Sequence, residues 1–182
     1  MPVVSYPGME GAFTHQAACA LFPEAELVSF EDWEAAAEAV ASGNCDFAVF
    51  PLDNTLAGIV PLTQRLLLKY HLKIVREYPL TIRQHLLGVK GANLHDIRHV
   101  HSHSHAISQC RPFLNTHPDW QLIFSDSTAV SAAWVADKKD KAYAAIASEQ
   151  AAEAYNLQVL KQDIHSGRNE TLFGVLQKEC QA

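Results

Sequence analysis

Gln121-Leu122-Ile123-Phe124-Ser125-Asp126-Ser127-Thr128-Ala129-Val130-Ser131-Ala132-Ala133-Trp134-Val135-Ala136 passes from strand to helix through small polar residues. Gln121–Phe124 reads as a short apolar strand, and a helix follows from about Ser127 to Ala136. The same unit recurs along the chain. Pro2–Tyr6 is a strand ended by Pro7-Gly8, Thr14–Phe22 a helix and Glu26–Ser29 a strand. Ser29 or Glu31 opens the helix Asp32–Ala41, which Gly43 stops. Asp46–Pro51 is a buried strand, Ile59–Tyr70 carries apolar residues at helical spacing, and Leu72–Tyr78 is a strand. Leu80–Val89 and His99–Ser102 read as strands, His105–Leu114 as a helix, Ala142–Ile146 as a strand and Ser148–Tyr155 as a helix. Gln158–Ile164 and Thr171–Gln177 are the last strands. Strands alternating with helices of this length imply an α/β fold with mostly parallel sheets.

The expected boundaries are Tyr78-Pro79 and a second crossing near His165-Ser166-Gly167. They divide the chain into one lobe of residues 1–78 plus 165–182 and a second of residues 79–164. Two lobes joined by two crossings form a cleft, the usual place for a small ligand.

Composition narrows the function. The 182 residues carry a net charge of −6, with 48% hydrophobic and 19% charged residues. No basic stripe is available to neutralise nucleic-acid phosphates. Cys19, Cys45, Cys110 and Cys180 lie far apart with no CxxC pair, which fits reduced thiols better than disulfides or zinc. The N-terminus lacks the basic start and apolar run of a signal peptide, and no stretch approaches the roughly 20 apolar residues of a spanning helix. The expectation is a soluble, cytoplasmic protein that engages neither membrane nor nucleic acid. Trp33, Trp120 and Trp134 are expected in the core, and Glu31–Glu38 on a solvated helix face.

Four segments place small polar residues where a strand gives way to a helix: Gly11–Thr14, Asp53–Gly58, Ser102–His105 and Asp126–Ala129. Backbone N–H groups there lack helical partners and the helix dipole favours an anion. Each segment alone also reads as an ordinary N-cap. Together, at the carboxyl ends of strands, they suit a ligand bearing carboxylates. His101, His103 and His105 alternate, but the run crosses a strand-to-helix junction without an acid or Cys cluster, so no metal is expected. His103 is expected in the cleft, and His101 and His105 at the surface or in packing.

The order of these motifs resembles the catalytic domain of prephenate dehydratases, over nearly the whole chain. Gly8-Met9-Glu10-Gly11-Ala12-Phe13-Thr14 is similar to that family's Gly-x-x-Gly-x-Phe-Ser/Thr turn. Pro51-Leu52-Asp53-Asn54-Thr55-Leu56-Ala57-Gly58 resembles its Pro-x-Glu-Asn-Ser/Thr-x-x-Gly segment, with aspartate for glutamate. Ser102-His103 with Gln109-Cys110, Ser127-Thr128-Ala129-Val130-Ser131-Ala132-Ala133, His85 and Ala144–Ser148 match further segments. Asn169-Glu170-Thr171-Leu172-Phe173 is similar to the family's Asn-x-Thr-Arg-Phe, with Leu172 where the family carries arginine.

The resemblance implies a two-lobed α/β fold like that of type II periplasmic binding proteins, with prephenate in the interlobe cleft and no cofactor. The products would be phenylpyruvate, carbon dioxide and water, and a homodimer is expected as a common state of the family. Thr171 would donate the proton, with Thr14, Asn54, Thr55, Ser102, His103, Ser127, Thr128, Ala129, Leu172 and Phe173 binding substrate. From the residues alone, Thr171 and Phe173 are also ordinary β-formers. Losing a charged partner at 172 would cost about 1.5–3 kcal/mol, unless Arg168 or Arg83 substitutes. The altered motif leaves two further readings: a non-aromatising prephenate decarboxylase, and a silent module binding an aromatic acid. Many family members continue into a regulatory ACT domain, which is not expected within these 182 residues.

Overall fold

A computed structural model of the chain describes residues 1–179. Cys180 and the last two residues assigned to the first lobe lie outside the described residues. The chain forms two compact units. One comprises Met1–Met9, Phe13–Ile82 and the segment from Arg168 onward, and the other Glu10–Ala12 and Arg83–Gly167. The first unit contains β1 (Val3–Pro7), α1 (Phe13–Leu21), β2 (Glu26–Phe30), α2 (Trp33–Ala41), β3 (Phe47–Asn54), β4 (Gly58–Ile59), α3 (Pro61–Tyr70) and β5 (Leu72–Thr81). The second contains β6 (His85–Gly88), β7 (His99–Ser102), α4 (Ser104–Gln109), α5 (Arg111–Leu114), β8 (Gln121–Phe124), α6 (Thr128–Lys138), β9 (Tyr143–Ala147), α7 (Glu149–Ala154) and β10 (Gln158–Lys161). The chain then returns to the first unit as β11 (Glu170–Lys178).

The sheets are mixed rather than mostly parallel. In the first, ordered β2-β1-β3-β11-β5, β1 runs parallel to β2 and β3, and β11 runs antiparallel to both β3 and β5. In the second, ordered β10-β6-β9-β7-β8, β7 is parallel to β8 and β9, and β6 is antiparallel to β9 and β10. Alternating strands and helices report the parallel pairs joined by crossovers. They do not report β5, which leaves the first unit, or β11, which re-enters it in the opposite direction.

The expected boundary at Tyr78-Pro79 falls inside β5, which continues to Thr81, and the division comes after Ile82. Proline is tolerated there because β5 is an edge strand with β11 on one side only among the described residues. Pro112 acts the other way: the expected single helix His105–Leu114 is broken at Cys110 into α4 and α5, with Pro112 in the first turn of the second. The cap of α2 is neither Ser29 nor Glu31 but Asp32, whose carboxylate accepts from the Glu34 N–H at 3.0 Å.

Alternation along each strand feeds two apolar layers in the first unit. Val4, Tyr6, Val49, Phe173 and Val175 pack with Ala17, Ala18 and Leu21 of α1. Ala48, Phe50 and Leu176 face the other way, onto Ala36, Ala37 and Val40 of α2 and Leu66 of α3. In the second unit Gly11 has a φ of +82°, and a Cβ there would lie 2.7 Å from the Ala151 Cα. Only glycine allows that approach. The hydroxyls of Ser148 and Tyr155 hold the same segment by donating to the carbonyls of Gly11 and Glu10, at 2.7 and 2.6 Å.

Trp33 and Trp120 pack against cores as expected, but Trp134 is 36% exposed, because it covers His101, stacked on it at 4.0 Å. His101 is buried, and its Nε2 has no hydrogen-bond partner among the described residues. Burial lowers its pKa from the ordinary 6.5, with His99 and Lys138 adding to the effect. His85 is also buried and its Nδ1 accepts from the Asp163 N–H at 3.0 Å. Burial lowers its pKa as well, opposed by Asp163.

Phe173→Ala should cost about 3–5 kcal/mol, read as a lower urea midpoint with an unchanged slope. Both histidines bind protons less readily folded than unfolded, so the stability they contribute is complete above their ordinary pKa and is lost as pH falls through it. The urea midpoint should therefore fall between about pH 7.5 and about pH 5.5, and less steeply in His101→Phe, which keeps the stack on Trp134.

Candidate active site

β3 and β11 meet antiparallel at the ends that carry Asn54 and Thr171. Thr171 lies opposite Asn54, Leu172 opposite Asp53 and Phe173 opposite Pro51. Leu52 is thus the extra residue of a bulge, and its side chain covers Gly174, where an added Cβ would come within 2.9 Å of it.

The Asn54 carboxamide joins the two strand ends. Its Nδ2 donates to Asn169 Oδ1 at 2.8 Å, to Thr171 Oγ1 at 2.9 Å and to the Glu170 carbonyl at 3.1 Å. Its Oδ1 accepts from the N–H groups of Leu56 and Ala57, both at 3.0 Å. The neighbouring Thr55 adds a reciprocal pair: its N–H donates to the Glu170 carbonyl and its Oγ1 accepts from the Glu170 N–H, each at 3.0 Å. Asn169 is buried at 2% exposure and Thr171 at 8%. Because Thr171 Oγ1 accepts from Asn54, its own hydrogen remains available for an acceptor outside the network.

Position 172 lies on the other face of the strand. Thr171 and Phe173 sit opposite Leu80 and Tyr78, on the side of the α1 core, while Leu172 sits opposite Pro79 and Asp53. An arginine at 172 would therefore project away from the Thr171 hydroxyl. Phe173, expected against substrate, is 1% exposed within the core, because alternation commits it to the layer beneath Thr171. Of the two arginines considered as replacements, Arg168 is exposed and bonded to Glu170 at 3.1 Å. Arg83 belongs to the second unit and is engaged by Asp163 through its Nε at 2.7 Å.

In the second unit, two of the expected contact residues are fully buried. Ser102 is fully buried and its hydroxyl donates to the Ile146 carbonyl at 2.7 Å, tying β7 to β9. Ala129 is fully buried in the first turn of α6. His103 remains half-buried as the N-cap of α4, its Nδ1 accepting from the His105 N–H at 3.3 Å. Burial lowers its pKa and so does His105, while Asp126 opposes them. Ser127 caps α6 by accepting from Val130 N–H at 3.1 Å, and Thr128 follows half-exposed. Thr14 is half-buried in the first turn of α1 in the first unit. No group of three His, Cys, Asp or Glu among the described residues could hold a metal ion.

The structure thus gathers Asn54, Thr55, Asn169, Glu170 and Thr171 into one network in the first unit. Asn169 was absent from the expected site set, although it opens the motif that contains Thr171. The attachment of Glu10 and Gly11 to Ser148 and Tyr155 had no signal in the sequence.

The family model for prephenate dehydratase matches residues 4–181. An arogenate dehydratase/prephenate dehydratase of Arabidopsis thaliana is 37% identical over 179 residues, 97% of this chain and 46% of that protein. The chain therefore spans about half the length of that curated relative. A solved prephenate dehydratase from Arthrobacter aurescens, in complex with L-Phe, superposes with a TM-score of 0.89 at 28% identity, covering 98% of this chain and 61% of that one. GqqA, described as a novel type of quorum quenching acylase, superposes with a TM-score of 0.90 at 28% identity, covering 99% and 65%. The expected two-unit α/β fold is the fold of both solved structures. With its β3–β11 network lying inside the matched span, the chain belongs to the prephenate dehydratase family.

Proposed function

We propose that this chain is the catalytic part of a prephenate dehydratase, a lyase of phenylalanine biosynthesis that converts prephenate to phenylpyruvate. The observation that carries the reading is the hydrogen bond from Asn54 Nδ2 to Thr171 Oγ1 at 2.9 Å. It leaves the hydroxyl's own hydrogen free to donate elsewhere, and it stabilises negative charge developing on the oxygen.

In this reaction the bond from the ring to its carboxylate breaks and releases carbon dioxide. Its electron pair enters the ring as the bond to the ring hydroxyl breaks, and the leaving hydroxide takes a proton from Thr171 to depart as water. Solvent returns a proton to Thr171. The ring becomes aromatic, so the protein mainly supplies the proton and holds the carboxylate out of the ring plane. No cofactor enters these steps. A threonine hydroxyl is a weak acid in water, and the buried, donor-rich surroundings of Thr171 answer that difficulty.

Within the first unit we assign the substrate's anionic groups to Thr14 and Thr55, at a helix start and a strand end, and in the second unit His103, Ser127 and Thr128 stand at helix starts whose N–H groups suit an anion. Ser102, Ala129 and Phe173 support these positions from within. Leu172 faces Asp53 and has no assigned contact with the reacting atoms. The buried thiols Cys45 and Cys110 suit a reducing, cytoplasmic setting. Burial pushes the Cys110 thiol up to about 12, which leaves it unreactive at neutral pH.

Purified protein mixed with prephenate at neutral pH should yield phenylpyruvate, followed by ultraviolet absorbance and mass. A decarboxylated product that keeps its hydroxyl, or no product, would overturn the assignment. Thr171→Ala should lower kcat by about 10²–10⁴-fold with an unchanged circular dichroism spectrum, and Thr171→Ser should restore part of it. Wild-type kcat in the alanine variant would remove Thr171 from the mechanism. Leu172→Arg should change kcat by less than about fivefold, because a cross-strand pair with Asp53 is worth only about 0.2–1 kcal/mol.

A further inference from the structure

α1 turns Ala17, Ala18 and Leu21 into the core of the first unit, which leaves Cys19 exposed on the far side of the helix. His15 precedes Cys19 by one turn, the spacing that sets two side chains side by side on a helix surface. Its Nε2 lies 3.4 Å from the Cys19 Sγ. The imidazole is also anchored: its ring lies against that of the buried Tyr6, with centroids 5.2 Å apart and planes at 35°. A nucleophile, a base and a group that holds the base in place therefore stand together on an accessible surface. The other thiols among the described residues, Cys45 and Cys110, are buried, and burial raises the pKa of both.

The thiolate rather than the thiol is the nucleophile, so a thiol at neutral pH depends on its neighbours for reactivity. An imidazole with its hydrogen on Nδ1 presents a lone pair on Nε2 that takes the thiol proton, and the imidazolium then holds the thiolate by charge. We propose that Cys19, with His15 as its base, is a site of reversible S-thiolation by low-molecular-weight disulfides. His15 Nε2 takes the proton from Cys19 Sγ. The thiolate attacks one sulfur of the disulfide, the old S–S bond breaks, and the second sulfur leaves as a thiolate that recovers the proton from His15. Cys19 is oxidised to a mixed disulfide and the departing sulfur is reduced to a thiol, so no further oxidant enters. Exchange with a free thiol runs the same step backwards. The pair takes no part in the proposed dehydration.

Glutathione disulfide and iodoacetamide are the probes, with peptide mass mapping to separate Cys19 from Cys180 and circular dichroism to confirm that each variant folds. At pH 7 the folded chain should gain one glutathione on Cys19, removed by dithiothreitol, while Cys45 and Cys110 stay unmodified. Cys19 should react with iodoacetamide at least about threefold faster in the folded chain than in the chain unfolded in urea. A thiol that is merely exposed gains nothing from folding. His15→Gln and His15→Phe, the second of which keeps a ring against Tyr6, should each abolish that gain. Glutathione found only on Cys180 or nowhere, a Cys19 that reacts no faster folded than unfolded, or histidine variants that keep the wild-type rate would each overturn the proposal.

Discussion

The carboxamide of Asn54 is the interaction on which the candidate site depends. An amide side chain has two donor hydrogens and two acceptor lone pairs. Here the nitrogen's two hydrogens are shared among three acceptors, Asn169 just before β11 and Glu170 and Thr171 at its start, and the oxygen serves the N–H groups of Leu56 and Ala57 in the turn after β3. One residue therefore shapes its own turn and fixes the start of a strand more than a hundred residues away. An aspartate of similar shape could hold the turn but would have no hydrogen to give to Thr171. The difference between holding a shape and orienting a proton is one nitrogen.

β11 carries two requirements on alternate residues. Phe173 and Val175 belong to the α1 core, and Thr171 lies on the same face one step before Phe173. The hydroxyl thus stands at the margin of a packed layer, where screening by water is weak and a hydrogen bond to a developing charge is worth more. The bulge at Leu52 lets β3 stay in register with β11 on both sides of this point, pairing Asn54 with Thr171 while Pro51 pairs with Phe173. The geometry also recasts the absent arginine. At 172 the strand points toward Asp53 and Pro79, so the leucine removes a charge from the opposite face of the sheet rather than from beside the hydroxyl.

In the second unit, polar residues at strand ends divide by burial. Ser102 has given its hydroxyl to Ile146, whereas His103 and Ser127 cap helices at positions that are still partly open. The sequence shows the same residue types in both roles, and only depth separates them. His101 belongs with the first group: it lies beneath Trp134, and its neutral form is favoured by that burial.

Much was legible in the residues themselves. Apolar runs of strand length and alanine-rich helices located nearly every element, because backbone period and side-chain burial are local properties. The motif around Thr171 and the Asp53-Asn54-Thr55 turn were visible as polar residues in unusual places. Local pattern could not decide which way β5 and β11 run, that β5 carries Pro79 through to Thr81, or that Glu10–Ala12 belongs to the second unit. Those depend on partners distant in sequence: an open sheet edge for Pro79, the Ala151 backbone for Gly11, and Asn54 for Thr171. The sequence by itself determined the secondary elements and the kinds of group available. Tertiary structure alone decided which groups are spent inside the protein and which keep a proton or a lone pair to offer, because hydrogen bonding is settled by what each atom meets in space.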